Sequence, residues 1–129
     1  MGREGPETKL IKKQRDAGRD KYGDRLVTVK YHGSQFGEAG VSDLLCVLDG
    51  VFIANEVKAP ETYGKSVEKA LLKGPTVKQR LFVGRVLAAG GCGGFTADVE
   101  GFMVMLACAA SVAQGFGPCV GHNLNGQDD

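Results

Sequence analysis

The segment VSDLLCVLDGVFIANEVKAP, residues 41–60, decides the fold because it has the pattern of a β-hairpin. Apolar and β-branched runs flank the pair Asp49-Gly50, and an Asp-Gly pair in that position favours a two-residue hairpin turn. Counting outward from the turn places Asp43 opposite Glu56, in a non-hydrogen-bonded pair whose side chains approach closely. We therefore expect two carboxylates on one face of the hairpin, with Cβ atoms about 5 Å apart.

Lys58 adds a positive charge to the same face, because it lies two residues after Glu56 and side chains alternate along a strand. Two opposed carboxylates destabilise a half-buried sheet unless a positive charge compensates them. A divalent cation such as Mg²⁺ is one candidate, since it binds carboxylate and carbonyl oxygens. An ordinary ion pair between Lys58 and Glu56, with Asp43 in water, is the other, and the hairpin pattern leaves both open.

The composition is that of one folded domain. The chain has 129 residues, of which 43% are hydrophobic and 24% charged, with a net charge of +1. We predict a single domain over residues 1–129, with a core at residues 7–113 and a tail at residues 114–129. Nine of the 16 Lys and Arg residues lie within the first 30 positions, and none follows Arg85. A basic first third suits a polyanion such as nucleic acid, although a solvated helix face would carry the same charges.

The remaining patterns predict an α/β protein. Before the hairpin they indicate a helix at residues 8–21, a strand at 26–31 and a glycine-rich loop at 33–40. After the hairpin comes a mobile surface excursion at 59–75 with a helical turn at 67–72, and then a helix that is capped by Thr76 and ends at Gly90 or Gly91. A strand at 92–95 and a last helix that starts at Thr96 or Asp98 complete the order. The strand, helix, strand order after the hairpin implies a crossover and a parallel pairing. We therefore expect a small mixed β-sheet flanked by helices.

The sequence patterns indicate a reducing compartment, in which the four cysteines would carry no disulfides. The sequence has no signal-peptide pattern and no apolar run of membrane-spanning length, so we expect a cytoplasmic protein without a membrane partner. Its four cysteines should then stay reduced. Cys92, Cys108, Cys119 and His122 are candidate zinc ligands, but only Cys119 and His122 have a standard ligand spacing. We interpret the cysteines as small apolar packing residues.

Four short segments carry a resemblance to a known family. Asp43 followed by the triplet Glu56-x-Lys58 is the motif of the PD-(D/E)xK nucleases. The segments GVSDLL at 40–45, FIANEVK at 52–58, TVKQ at 76–79 and AGG at 89–91 together resemble the VRR-NUC family of that superfamily. The resemblance extends over about residues 7–95. Ser42 departs from it, because the family usually has proline there, but proline would only stiffen the approach to Asp43.

The resemblance implies a restriction-endonuclease-like fold and a metal-dependent DNA endonuclease that hydrolyses phosphodiester bonds. In such enzymes Mg²⁺ or Mn²⁺ is held by the acidic pair, here Asp43 and Glu56, and by a backbone carbonyl, here that of Val57. Lys58 would orient the attacking water or stabilise charge on the phosphate.

Two further residues are implied by the same resemblance. Glu7 matches the acidic position of the first helix and would hold a metal-bound water or a second ion. Gln79, on the helix capped by Thr76, would support Lys58 or touch the phosphate. Without that role, Glu7 would be a first-turn acid favoured by the helix dipole and Gln79 a solvent-exposed side chain.

The expected partner is DNA, recognised by shape at junctions, flaps or distorted duplex through phosphate contacts of the basic first third. The family is typical of phages and bacteria, which implies the cytoplasm of a bacterial or phage-infected cell. We also expect a homodimer, partly through the apolar last helix with Phe102, Met103 and Met105, although that helix could instead simply close the core. The alternative function is a non-catalytic nucleic-acid-binding module that retains the nuclease fold.

Overall fold

A computed structural model describes residues 4–31 and 40–124, and most of the predicted loop at 33–40 lies outside these ranges. The helices are α1 (Pro6–Tyr22), α2 (Val67–Lys73), α3 (Val77–Ala88) and α4 (Val99–Ala113), and the strands are β1 (Leu26–Lys30), β2 (Leu44–Leu48), β3 (Val51–Val57) and β4 (Cys92–Thr96). Short 3-10 helices lie at Gly23–Arg25 and Pro60–Tyr63.

The strands form one mixed sheet in the order β1-β2-β3-β4. The first three strands are antiparallel neighbours, and β4 runs parallel to β3 after the crossover through α3. The prediction of an α/β protein with a small mixed sheet flanked by helices is therefore confirmed.

The hairpin has the predicted register. Leu45 pairs with Ala54, which places Asp43, one residue before β2, opposite Glu56. The turn residues Asp49 and Gly50 have φ angles of 52° and 87°, as a type I′ turn requires. Turn type and alternation together fix which side chains share a face, so Glu56 and Lys58 lie on the face opposite Asn55 and Val57.

The hydrophobic core lies between the sheet and the helices α1 and α4, and α3 covers the other face of β3 and β4. Phe102, Met105 and Leu106 of α4 are fully buried in this core, and Met103 packs against it. These side chains therefore close the core within one chain. The sequence-based argument that they exceed what the sheet needs, and so favour a dimer through α4, is not supported.

The segment after Gly115, predicted to be a frayed tail, is bonded to β4 over its last described residues. The His122 N–H donates to the Gly93 carbonyl at 3.0 Å and the His122 carbonyl accepts from the Phe95 N–H at 2.9 Å. Gly94 forms a parallel bridge with His122, and a Cβ at Gly94 would overlap the His122 carbonyl. The tail prediction missed this attachment because the segment has no strand-like run of its own. Residues 125–129 lie outside the described ranges.

The excursion at residues 59–75 is more ordered than the sequence predicted. It contains a 3-10 helix and α2, and Ala59, Ala70 and Gly74 are buried. Gly74 lies against the side chain of Lys58, the residue that follows β3, so the excursion covers Lys58. Among residues 4–31 and 40–124, no helix is both long enough and apolar enough to cross a membrane.

Candidate functional site

Asp43 is fixed by both of its neighbouring strands at the open end of the hairpin. Its Oδ2 accepts a hydrogen bond of 3.0 Å from the Val57 N–H, and its backbone carbonyl accepts one of 2.8 Å from the Tyr31 N–H. One carboxylate oxygen thus binds the backbone of β3 directly beside Glu56. Val57 contributes this N–H, and its carbonyl stays a predicted metal ligand.

Glu56 is the most constrained acid of the site, with only 2% of the residue exposed. Its Oε2 accepts a hydrogen bond of 2.8 Å from Gln79 Nε2 and lies 3.5 Å from Lys58 Nζ. Its Oε1 is buried and has no hydrogen-bond partner among the described residues. Burial, the charge of the neighbouring Asp43 and a side-chain hydrogen bond to Asp43 raise the pKa of Glu56 to about 9, so the two carboxyl groups can share a proton. A buried carboxylate oxygen without a partner is costly unless a cation or a proton satisfies it.

Lys58 is positioned by β4, which bonds its backbone, and by the excursion at residues 59–75, which contacts its side chain. Its backbone N–H donates to the Thr96 carbonyl at 2.8 Å, which continues the β3–β4 pairing by one residue beyond Val57. Its aliphatic stem lies against Gly74, where an added Cβ would come within 2.9 Å of Lys58 Cγ. The ammonium group is thereby directed toward Glu56 from a stem with little freedom.

Gln79 joins the site to the start of α3. Thr76 and Gln79 form a capping box, in which Gln79 Oε1 accepts from the Thr76 N–H at 3.0 Å and Thr76 Oγ1 accepts from the Gln79 N–H at 3.2 Å. The amide nitrogen of Gln79 donates to Glu56. The resemblance implied that Gln79 supports Lys58 or touches the phosphate; in the structure its amide bonds the Glu56 carboxylate, which also pairs with Lys58.

Glu7 lies in the first turn of α1, within electrostatic reach of the site. Desolvation of its carboxylate and the charge of Asp43 raise the pKa of Glu7, while Lys58 and Lys30 lower it. The structure therefore brings Glu7, Asp43, Glu56, Lys58 and Gln79 together. We refer to Asp43, Glu56, Lys58 and Gln79 as the carboxylate site, with Glu7 at its margin.

The acids of the carboxylate site need a cation or a proton to balance their charge. Lys58 does pair with Glu56, as the ion-pair alternative requires. Lys58 and Lys30 stand against three carboxyl groups, those of Glu7, Asp43 and Glu56, and Glu56 Oε1 has no hydrogen-bond partner among the described residues. Ser42 Oγ, one residue before Asp43, is also buried without a hydrogen-bond partner in the described part of the chain. Oxygen-only ligands with excess negative charge are the ligand set of Mg²⁺ and Mn²⁺.

A basic groove of about 410 Å³ runs along α1. Its lining residues are Glu4, Thr8, Ile11, Lys12, Arg15, Asp16, Arg19 and Lys30. Lys30 Nζ donates to Thr8 Oγ1 at 3.4 Å, and Thr8 is the neighbour of Glu7. A second cavity of about 830 Å³ lies on the other side of α1 and includes Lys9, Lys13 and Lys65. Neither cavity is lined by Asp43, Glu56 or Lys58, so both grooves are separate from the carboxylate site.

Sequence reasoning missed a buried polar triangle beneath the site. Asn55 Nδ2 donates to Gln14 Oε1 at 2.8 Å, Gln14 Nε2 donates to Thr96 Oγ1 at 2.9 Å, and Thr96 Oγ1 donates to Asn55 Oδ1 at 2.7 Å. The three residues are at most 1% exposed and tie α1 to β3 and β4. Asn55, between apolar residues and next to Glu56, was the available signal.

The candidate zinc ligands, which we interpreted as packing residues, are clustered. Cys92 begins β4, Cys108 lies on α4, and Cys119 and His122 belong to the segment bonded to β4. One ligand atom from each lies within 4.8 Å of the others. This cluster contains sulfur and imidazole ligands and is separate from the carboxylate site.

Comparison with known proteins finds no match among protein-family models, curated proteins or solved structures. The functional conclusion therefore depends on the geometry of these residues.

Proposed function

We propose that this chain is a Mg²⁺- or Mn²⁺-dependent DNA endonuclease with a restriction-endonuclease-like fold of the VRR-NUC type. The observation that carries the proposal is the pairing of Asp43 with the buried Glu56, whose Oε1 has no hydrogen-bond partner among the described residues. That oxygen, the second oxygen of Asp43 and the Val57 carbonyl are the ligands that would hold the ion, with Glu7 at the margin for a metal-bound water or a second ion.

A bound divalent ion would supply Lewis acidity toward the scissile phosphate and lower the pKa of a coordinated water. The residues of the chain do the positioning. Lys58 holds a positive charge 3.5 Å from Glu56 Oε2, where it can orient a nucleophilic water or stabilise the charged phosphate. Gln79, on α3, donates to the same oxygen at 2.8 Å and so restrains rotation of the Glu56 side chain.

The basic groove supports DNA as the substrate. Lys12, Arg15, Arg19 and Lys30 line it, together with Thr8, the neighbour of Glu7. Lysine and arginine side chains on a helix surface bind phosphates without reading bases. We therefore propose selectivity for DNA shape, such as junctions, flaps or distorted duplex.

A homodimer and a cytoplasmic location remain part of the proposal. A surface that could support self-association is the face of β1, β2 and the start of β3 that α1 and α4 do not cover. Val27, Val29, Val47 and Phe52 are 39–58% exposed there, and adjacent strands place them side by side. Light scattering after size-exclusion chromatography tests for the homodimer by measuring the mass of the wild type and of Val27→Lys. Monomer mass for both proteins would exclude the homodimer.

The proposed activity is tested by incubating labelled linear duplex, single strand, flap, four-way junction and supercoiled plasmid with Mg²⁺, Mn²⁺ or a chelator. Glu56→Gln and Lys58→Met should abolish cleavage while preserving size and shape at each position. Glu68→Gln and Lys69→Met make the same chemical changes on the exposed surface of α2 and should leave cleavage intact.

Each result of this experiment has a defined meaning. Metal-dependent cleavage lost only in the first two variants supports the nuclease, and the most efficiently cut DNA identifies the preferred structure. Metal-independent binding without cleavage of any substrate would overturn it in favour of a non-catalytic nucleic-acid-binding module. Cleavage that survives Glu56→Gln would place the activity in a contaminant.

A further inference from the structure

The chain contains a second cluster of ligand-type side chains, on the opposite side of β4 from Glu56. Cys92 and Cys119 are 0% and 7% exposed, and Cys108 and His122 are partly buried. Cys92 Sγ lies 3.7 Å from His122 Nε2 and 3.0 Å from Cys119 Sγ. All four ligand atoms lie within 4.8 Å of one another.

The 3.7 Å between Cys92 and His122 matches a tetrahedral zinc site, and the 3.0 Å between Cys92 and Cys119 lies between the values for a disulfide and for two zinc-bound sulfurs. With Zn–S bonds near 2.3 Å and Zn–N bonds near 2.0 Å, ligand atoms of a tetrahedron lie about 3.5–3.8 Å apart. A disulfide requires about 2.05 Å between sulfurs, and the 3.0 Å between Cys92 and Cys119 is well beyond it. A disulfide would also leave Cys108 and His122 without a reason to converge on the same point.

The surroundings of Cys119 favour a thiolate, whereas burial raises the pKa of the Cys92 and Cys108 thiols. The Gly121 N–H donates to Cys119 Sγ at 3.4 Å, and such backbone donors stabilise thiolate ligands around zinc. Three cysteines and one histidine fill all four positions of a tetrahedron and leave none for a substrate, which is the arrangement of structural zinc sites. A hard cation such as Mg²⁺ would be excluded by the sulfur ligands.

We propose that Cys92, Cys108, Cys119 and His122 form a structural zinc site. Binding converts three thiols to thiolates and releases three protons, with no change of oxidation state, to give a centre of net charge −1 with a neutral imidazole.

Zinc at this position would connect three separate parts of the fold. It would hold the start of β4, the third turn of α4 and the segment containing His122. That segment bonds β4 through the N–H groups of Phe95 and His122. Since β4 is the parallel neighbour of the strand carrying Glu56, the zinc site would brace the sheet behind the carboxylate site.

The test measures metal content and coordination in the full-length protein purified under reducing conditions. Elemental analysis should find about one zinc ion per chain, and Co²⁺ exchanged for it should give the thiolate charge-transfer and d–d bands of a tetrahedral site. After dialysis against a chelator, the zinc contents of Cys108→Ser, Cys119→Ser and His122→Gln should each be lower than that of the wild type by about ten-fold or more.

Two control variants separate this site from other cysteines and from the carboxylate site. Cys46→Ser replaces a buried cysteine of β2 outside the cluster and should keep the full zinc content. Glu56→Gln should also keep it, so loss of nuclease activity and loss of zinc are independent results. Cys92 is fully buried and its replacement has a folding cost of its own, so the wild-type cobalt spectrum serves as the test for that ligand.

Amide hydrogen exchange gives a local readout. Removing zinc from the Glu56→Gln variant should speed exchange at Phe95 and His122, whose N–H groups join the last segment to β4, and leave the β1–β2 amides unchanged. Reduced protein with no bound zinc and no cobalt spectrum would overturn the proposal. So would a Cys92–Cys119 disulfide in protein isolated under reducing conditions.

Discussion

Gln79 Nε2 donates a 2.8 Å hydrogen bond to Glu56 Oε2 while Gln79 Oε1 caps α3 through the Thr76 N–H. One side chain therefore caps the N-terminus of α3 and also holds Glu56, the central acid of the carboxylate site. The two functions can be separated by mutation, because Thr76 takes part only in the cap.

Replacing Gln79 with Ala should impair both stability and catalysis, whereas Thr76→Ala should impair stability alone. Each variant removes half of the capping box and should lower the free energy of unfolding by about 1 kcal/mol. Only Gln79→Ala frees Glu56, so only this variant should weaken Mg²⁺ binding or cleavage, by about ten-fold or more. Denaturant unfolding and single-turnover cleavage measure the two effects. An equal loss of cleavage in both variants would mean that Gln79 acts only through the helix cap.

Glu56→Gln should stabilise the protein in chelator at neutral pH, although it abolishes activity. The pKa of Glu56 is raised from 4.5 to about 9 by burial and by Asp43, so the folded state binds more protons than the unfolded state between these values. The stability of the wild type should therefore fall as pH rises from about 4.5 to about 9. Glu56→Gln removes this loss and should gain about 1–3 kcal/mol at pH 8.

Thermal unfolding of wild type and Glu56→Gln across pH 5–9 tests this dependence. Mg²⁺ should raise the unfolding midpoint of the wild type at pH 8 and have little effect on the variant, because an ion that binds only the folded state stabilises it. If the unfolding midpoints of the two proteins changed with pH in the same way, ionisation of Glu56 would not lower the stability of the folded state.

The carboxylate pair could be predicted from the sequence because it depends on local geometry. The turn at Asp49-Gly50 sets the register, and alternation then places Asp43, Glu56 and Lys58 on one face. Both rules need only the residues of the hairpin. The helices were predicted for a similar reason, since Thr76 and Asp98 are N-caps that can be recognised from a few neighbouring residues.

The features that sequence reasoning missed depend on contacts between distant segments. Gln14 lies in a helix whose pattern is charged throughout, and its partners Asn55 and Thr96 are 41 and 82 residues further on. The spacing from Cys92 to Cys108 follows no ligand motif because a β4–α4 crossover, and not a short loop, brings them together. Spacing rules describe sites built on one local element, so they do not detect sites assembled by a crossover.

Gly74→Ala should reduce cleavage by displacing Lys58. Gly74 has φ −71° and ψ −42°, so alanine is compatible with its backbone angles, and the conflict is purely steric. Its Cβ would lie 2.8 Å from Lys58 Cδ and 2.5 Å from the Ala70 carbonyl oxygen. We expect a stability loss of about 1–3 kcal/mol from overpacking and a fall in cleavage rate of about ten-fold or more.

Gly84→Ala is the matched control for this substitution. A Cβ at Gly84 meets no atom within 4 Å, and the residue lies inside α3. Alanine should therefore stabilise the protein by about 0.5–1 kcal/mol without changing cleavage. Unchanged cleavage in Gly74→Ala would mean that the Lys58 ammonium reaches its position independently of its stem.

Lys12→Ala and Arg19→Ala should weaken DNA binding through lost phosphate contacts. Both side chains line the basic groove beside α1 and are exposed, so their removal should not affect folding. Each lost contact should reduce the slope of log Kd against log salt concentration by about 1, and by similar amounts for unrelated DNA sequences of the same shape.

Lys69→Ala, on the exposed surface of α2, removes the same charge from another surface and should leave the slope unchanged. Binding measured by fluorescence anisotropy in Ca²⁺ at several salt concentrations gives these slopes. Equal slopes for wild type, Lys12→Ala and Arg19→Ala would exclude the groove as the DNA path, and an altered slope in Lys69→Ala would place DNA over α2 and Lys58 instead.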